Sequence, residues 1–238
     1  MAQRNVMQRD VGRRQATAVR AVAAPTTNRR EQNKNDKLQR ILHAGRTLFR
    51  AKPFAAVTTQ EIAQAADIAA GTLFLYVTSK EDLLVLVFKD EMIAVARRAF
   101  GKIDRSLPVA GQLLICFRRM RSYHARDVAL ARVLLKELTI LSNARRRADI
   151  AALMNVIHGG ITQLLTTAQQ AGALRTDLDA AVAAHTLFAA YYLGLISWLG
   201  EAQSAAQYER RLRRQIDLVL GNAPVGIAAR VVLTGFRK

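Results

Sequence analysis

Apolar residues recur with helical spacing along most of the chain. Leu38, Ile41, Leu42, Leu48 and Phe49 fall on one helical face with Gly45 among them, which predicts a helix of about four turns with a single apolar stripe. Pro53 ends it, because proline cannot donate and crowds the turn before it. Thr58-Thr59-Gln60-Glu61 reads as a capping box, with Thr58 capping and Glu61 reaching back. A short helix follows with Ile62, Ala63 and Ala66 inward. Asp67 interrupts, and a second short helix is expected over about residues 70–76, with Leu73 and Val77 as its inward pair. Ser79 then caps a long helix running to about Arg105, with Leu83, Leu84, Val87 and Phe88 inward. Pro108 breaks the chain, and further helices are expected over about 110–125, 128–142, 146–171, 178–200 and 205–221. Gly172 closes one of them, and Asp177 or Asp179 caps the next. No segment alternates with period two for long enough to make a strand, so the pattern predicts an all-α protein.

Two short helices joined by a tight turn, between longer helices, form a helix-turn-helix. Such a unit presents its second helix to the DNA major groove while the first crosses the backbone. Gly71 has no side chain and admits close backbone approach, and Phe74 and Tyr76 lie toward the groove or the phosphates. Lys80 stands in the first turn of the following helix, where free N–H groups and a cation together suit a phosphate.

Charge supports a polyanionic partner. The 238 residues carry 36 Lys and Arg against 18 Asp and Glu, a formal net charge of +18. Hydrophobic residues make up 51%, too many for a disordered chain. Residues 1–37 hold nine Lys or Arg and three acids with no apolar core, so they do not read as a secretory signal. Gln, Asn and Asp dilute a likeness to an organellar transit peptide, and residues 1–34 are expected to be a disordered basic arm. Arg118-Arg119-Met120-Arg121 and Arg145-Arg146-Arg147 read most simply as solvated helix faces or loops. The run from Ala180 to Gly200 lacks any Asp, Glu, Lys or Arg and is long enough to span a membrane. His185, Thr186, Tyr191, Tyr192 and Ser197 within it favour a helix buried in protein instead, at a dimer interface. Leu195 is taken as an interface position, and Ala183, Ala184, Ala190 and Gly194 as the small residues that let helices approach.

The string Ile41-Leu42, Leu48-Phe49, Thr58-Thr59-Gln60-Glu61-Ile62-Ala63, Gly71-Thr72-Leu73-Phe74-Leu75-Tyr76 and Ser79-Lys80-Glu81-Asp82-Leu83-Leu84 resembles the DNA-binding domain of the TetR (tetracycline-repressor) family. The resemblance covers residues 38–87 and implies a cytoplasmic homodimer. It also implies an N-terminal three-helix helix-turn-helix domain and a larger C-terminal helical domain for effector binding and dimerisation. On this sequence the divisions are 1–34 as arm, 35–80 as DNA-binding domain, 81–221 as effector and dimerisation domain and 222–238 as tail. The DNA-binding residues it implies are Thr58, Thr59, Ala70, Gly71, Thr72, Phe74, Tyr76 and Lys80. The chain departs from the family pattern at Asp67, where a glycine is usual, at Ala69, which lacks a hydroxyl, at Phe74, where tyrosine is usual, and at Val77, where phenylalanine is usual.

Catalytic chemistry finds no support. His43, His124, His158 and His185 lie on different predicted helices without metal-ligand spacing, and Cys116 reads as an inert buried thiol. No catalytic residue, metal or cofactor is expected. Pockets are mostly apolar with a few placed polar groups, so Tyr123, His124, His158, Tyr191 and Trp198 are the effector candidates. The expected function is a sequence-specific transcriptional regulator, a repressor that binds a near-palindromic duplex operator as a dimer and is released by a small effector. The competing expectation is a nonspecific nucleic-acid or anionic-membrane binder acting through the basic arm; a membrane partner is not expected of the regulator.

Overall fold

The computed structural model describes residues 26–139 and 144–221, and all regular structure among them is helical. The helices are α1 (Thr26–Ala51), α2 (Thr59–Ala65), α3 (Ala70–Leu73), α4 (Lys80–Gly101), α5 (Val109–His124), α6 (Val128–Thr139), α7 (Ala144–Gln170), α8 (Ala180–Leu199) and α9 (Ala205–Leu220). A single 3-10 turn, Phe54–Ala56, follows Pro53. The first part of α1, up to Leu38, forms a unit of its own; the residues from Gln39 onward form a second.

Helix α1 begins at Thr26, within the stretch expected to be a disordered arm over residues 1–34. Residues 29–37 are exposed and carry no apolar stripe, so periodicity cannot announce them. Residues 1–25 and the tail 222–238 lie outside the described residues. Helix α4 stops at Gly101, ahead of the expected Arg105. There Asp104 accepts hydrogen bonds from the Ser106 N–H (2.9 Å) and hydroxyl (2.6 Å), a local turn that competes with the helix.

Helix α4 supports the second unit. Its buried run from Asp82 to Phe88 packs against α7 and α5, and α7 continues the core toward α8 and α9. Leu113, Phe117, Leu153, Ile157, Ile161 and Leu187 fill the centre with almost no exposure. Gly172, at φ +70°, follows the end of α7, and Asp179 caps α8 by accepting from Ala181 N (2.9 Å) and Val182 N (3.0 Å). Cys116 is buried, its thiol pushed up to about 12 by desolvation.

Helix α8 corrects one expectation. Leu195, taken as an interface position, is buried in its own chain with Ala183, Ala184, Leu187, Tyr191 and Leu199. Gly194 admits the Tyr208 ring of α9, since a Cβ there would stand 2.4 Å from it. The small residues Ala183, Ala184 and Gly194 therefore serve packing within the chain. The opposite face, Val182, Thr186, Ala189, Leu193 and Ile196, is exposed at four-three-four-three spacing, with Leu193 64% exposed. By length and composition α8 is the one described helix that could cross a membrane.

Candidate nucleic-acid interface and effector cavity

The candidate interface begins with the cap of α2. The Thr58 hydroxyl accepts from Glu61 N (3.2 Å), and the Glu61 carboxylate accepts from Thr58 N (2.9 Å), closing the capping box. Lys52 donates to the same carboxylate at 2.6 Å and, with Thr58, holds the Glu61 carboxyl well below its usual range. Thr59 follows as the first residue of α2 and is half-buried.

The turn from α2 to α3 passes through Asp67 at φ +53°, the left-handed region that favours glycine. Asp67 occupies it with help from Arg40, whose guanidinium donates to the Asp67 carbonyl (3.3 Å) and carboxylate (3.0 Å). The missing glycine is thus replaced by an aspartate tied down from α1.

Helix α3 is only Ala70–Leu73, shorter than the expected 70–76, and its N-cap residue Ala69 has no side-chain capping bond. Turn hydrogen bonds carry the chain on: Tyr76 N and Val77 N both donate to the Leu73 carbonyl, at 3.0 and 3.2 Å. Leu73 and Val77 are buried, as their spacing predicts. Ala70, Gly71 and Phe74 are exposed, and Thr72 and Tyr76 are half-buried. A Cβ on Gly71 would meet nothing within 4 Å, so packing within the chain does not require a glycine there. Leu75, which spacing and resemblance do not single out as a DNA contact, is the most exposed large apolar side chain of the segment at 77%; Phe74 is 53% exposed.

Lys80 stands at the start of α4 beside this surface, behind the Ser79 cap, whose hydroxyl accepts from Asp82 N at 3.0 Å. The Lys80 ammonium donates to the Phe54 and Val57 carbonyls, each at 2.8 Å, and lies 4.4 Å from the centroid of the Phe54 ring. Two of its three N–H donors are therefore committed to the 3-10 turn and one is left over.

A cavity of about 250 Å³ lies where α1, α4, α5 and α6 meet. Phe49, Leu84, Leu130 and Leu134 give it apolar walls, and Arg50, Glu91, Arg126 and Asp127 its polar edge. Glu91 is held by Arg46 Nε (2.8 Å) and Arg50 Nη2 (2.6 Å) from α1. Tyr123 and His124 line this cavity. Burial pulls the His124 imidazole down to about 4, and its Nδ1 has no hydrogen-bond partner. Burial pushes the Tyr123 phenol well above its usual range, with the Glu91 charge acting in the same direction.

His158, Tyr191 and Trp198 do not line it. The His158 ring packs 4.0 Å from that of His185, between α7 and α8. Tyr191 is buried and stacked on Phe117 at 5.0 Å. Trp198 lies 5.3 Å from the Arg121 guanidinium, which also pairs with Glu209. Arg121 is thus no simple solvated residue. Arg146 departs further from that expectation: it is buried and paired with Asp82, 64 residues away, a distance no local pattern reveals.

Residues 41–87 match the family described as "Bacterial regulatory proteins, tetR family". The chain is 26% identical over 166 residues to the "Fatty acid metabolism regulator protein" of Bacillus subtilis (strain 168), covering 70% of this chain and 85% of that one. It is 26% identical over 204 residues to the "HTH-type transcriptional repressor KstR" of Rhodococcus jostii (strain RHA1), covering 84% and 92%. Among solved structures it is similar to Thermus thermophilus FadR, a transcriptional repressor crystallised with lauroyl-CoA, with a TM-score of 0.61 and 26% identity over 83% of this chain and 99% of that one.

Proposed function

We infer that this chain, a DNA-binding transcriptional regulator of the bacterial tetR family, is a dimeric repressor that a fatty acyl-CoA releases from its operator. In this reading residues 35–80 read DNA and residues 81–221 bind the effector and dimerise. Thr58, Thr59, Ala70, Gly71, Thr72, Phe74, Tyr76 and the spare Lys80 donor face the duplex, supported by their shared surface around α2 and α3. The reading places the chain in the cytoplasm, where its operator is, and gives it no catalytic role. The exposed apolar stripe of α8 supports self-association, because a two-fold axis covers it with its own image.

One observation carries the ligand response: the cavity is walled jointly by α1, which packs in the DNA-reading domain, and by α4, α5 and α6. An apolar chain among Phe49, Leu84, Leu130 and Leu134 would push on α1, and Arg50 and Arg126 suit an anionic head at the edge. Tyr123 and His124 are the polar contacts; His158, Tyr191 and Trp198 are left to wider parts of the helical domain.

The experiment selects fragments of the source genome with the full-length protein, maps the protected site, and adds lauroyl-CoA. A short near-palindromic footprint that lauroyl-CoA weakens supports the reading. A footprint untouched by lauroyl-CoA removes the acyl-CoA assignment, and retention of all fragments alike removes the regulator.

A further inference from the structure

The start of α7 reaches the segment that follows α3. Arg146, in the first turn of α7, and Asp82, in the first turn of α4, have side chains only 4% and 7% exposed. Arg146 Nε and Nη2 grip the two Asp82 oxygens, the latter at 3.1 Å. Nη2 also donates to the Tyr76 carbonyl at 3.3 Å, and Nη1 to Asp149 at 2.8 Å. Asp82 in turn accepts from Thr78 N (2.8 Å) and the Thr78 hydroxyl (3.2 Å). One guanidinium thus fastens the stretch from Tyr76 to Asp82 to α7.

The choice of an ion pair here needs a reason. Burying two charges costs about what their attraction returns, so a well-packed apolar pair would hold the fold equally well. What the apolar pair lacks is direction. A planar guanidinium fork accepts one orientation of its carboxylate and one carbonyl position, whereas methyl groups slide. Tyr76 closes the segment whose other end is α3, so the orientation fixed is that of the DNA-facing surface.

We infer that Arg146 is a positioning residue for operator binding, which sets the pose of residues 70–76 from the first turn of α7 through Asp82 and the Tyr76 carbonyl. This rests on the reading of α3 as the DNA-facing element.

The test compares operator affinity and thermal midpoint in the full-length wild type, Asp82→Leu/Arg146→Met and Arg146→Lys, using the fragment the wild type selects. The apolar double variant is expected to stay folded and dimeric at the assay temperature, with a midpoint lowered by the lost Thr78, Tyr76 and Asp149 bonds, and to lose about tenfold or more in affinity. Arg146→Lys, which keeps the charge but not the fork, is expected to lose affinity in the same direction. Wild-type affinity in a folded double variant overturns the inference. If the double variant does not fold, Arg146→Lys decides by the same reading. An affinity loss no larger than the loss of folded protein also overturns it, as a merely structural role. Failure of the wild type to select any fragment is a failure of the functional reading, not of this one.

Discussion

At the scale of single residues, Asp67, Lys80 and His124 each carry a testable consequence. Asp67 holds a left-handed backbone at φ +53°, which a short polar side chain tolerates, with an exposed tie to Arg40. A β-branched residue has no such tie and a crowded Cβ, so Asp67→Val is expected to cost about 1–2 kcal/mol. Asp67→Gly, which adopts the conformation freely, should stay within about 1 kcal/mol of wild type. Denaturant titration of the two variants separates them; equal stabilities would show that the turn is unstrained. Lys80 braces the 3-10 turn with two donors and keeps one. Lys80→Ala should therefore cost about 1–3 kcal/mol of stability and also lower the salt slope of duplex binding by about one. A stability loss with an unchanged slope would confine Lys80 to the turn. His124 is held neutral, with its imidazole down to about 4. The unfolded chain takes up a proton below pH 6.5 that the folded chain refuses until about pH 4. Stability from this residue is therefore complete at neutral pH and falls by about 2–3 kcal/mol on acidification through that window. His124→Gln should flatten the fall between pH 7 and 4.5, and an equally steep variant would contradict the burial of a neutral ring.

At the scale of elements, local chemistry was legible in the sequence and facing was not. The Thr58–Glu61 box, the Ser79 cap and the inward pair Leu73 and Val77 are short-range patterns, and each stands where its spacing places it. Helix α8 defeats the same approach because it is apolar all round, so period alone cannot choose a face. Leu195 turned out to point inward and Leu193 outward. The N-terminal turns of α1 gave no signal because every side chain from 29 to 37 is polar and exposed. The Arg146–Asp82 pair and the cavity around Tyr123 and His124 join residues far apart in the chain, which no window of sequence contains. The element-scale prediction follows from the two faces of α8. Leu193→Glu should give a folded monomer, since a charge on the exposed stripe is solvated alone and desolvated unpaired at an interface. Leu195→Glu should instead unfold the chain, because it places the charge in the core. Light scattering and circular dichroism distinguish the two, and a dimeric Leu193→Glu would move the interface off this stripe.

At the scale of the whole molecule, two claims meet: a charge of +18 that attracts any duplex, and a helix-turn-helix surface built to prefer one. Counterion release explains the first without the second. Preference requires the short segment 70–76 to meet base edges in a fixed pose, twice, across a two-fold axis. The measurement that separates them is the affinity of the full-length protein for its selected operator and for a scrambled duplex of equal length and composition, both at about 0.15 M salt. The regulator predicts tighter binding to the operator by about 10³-fold or more. Equal affinities, falling together as salt rises, would contradict it and leave a basic protein that holds DNA without reading it.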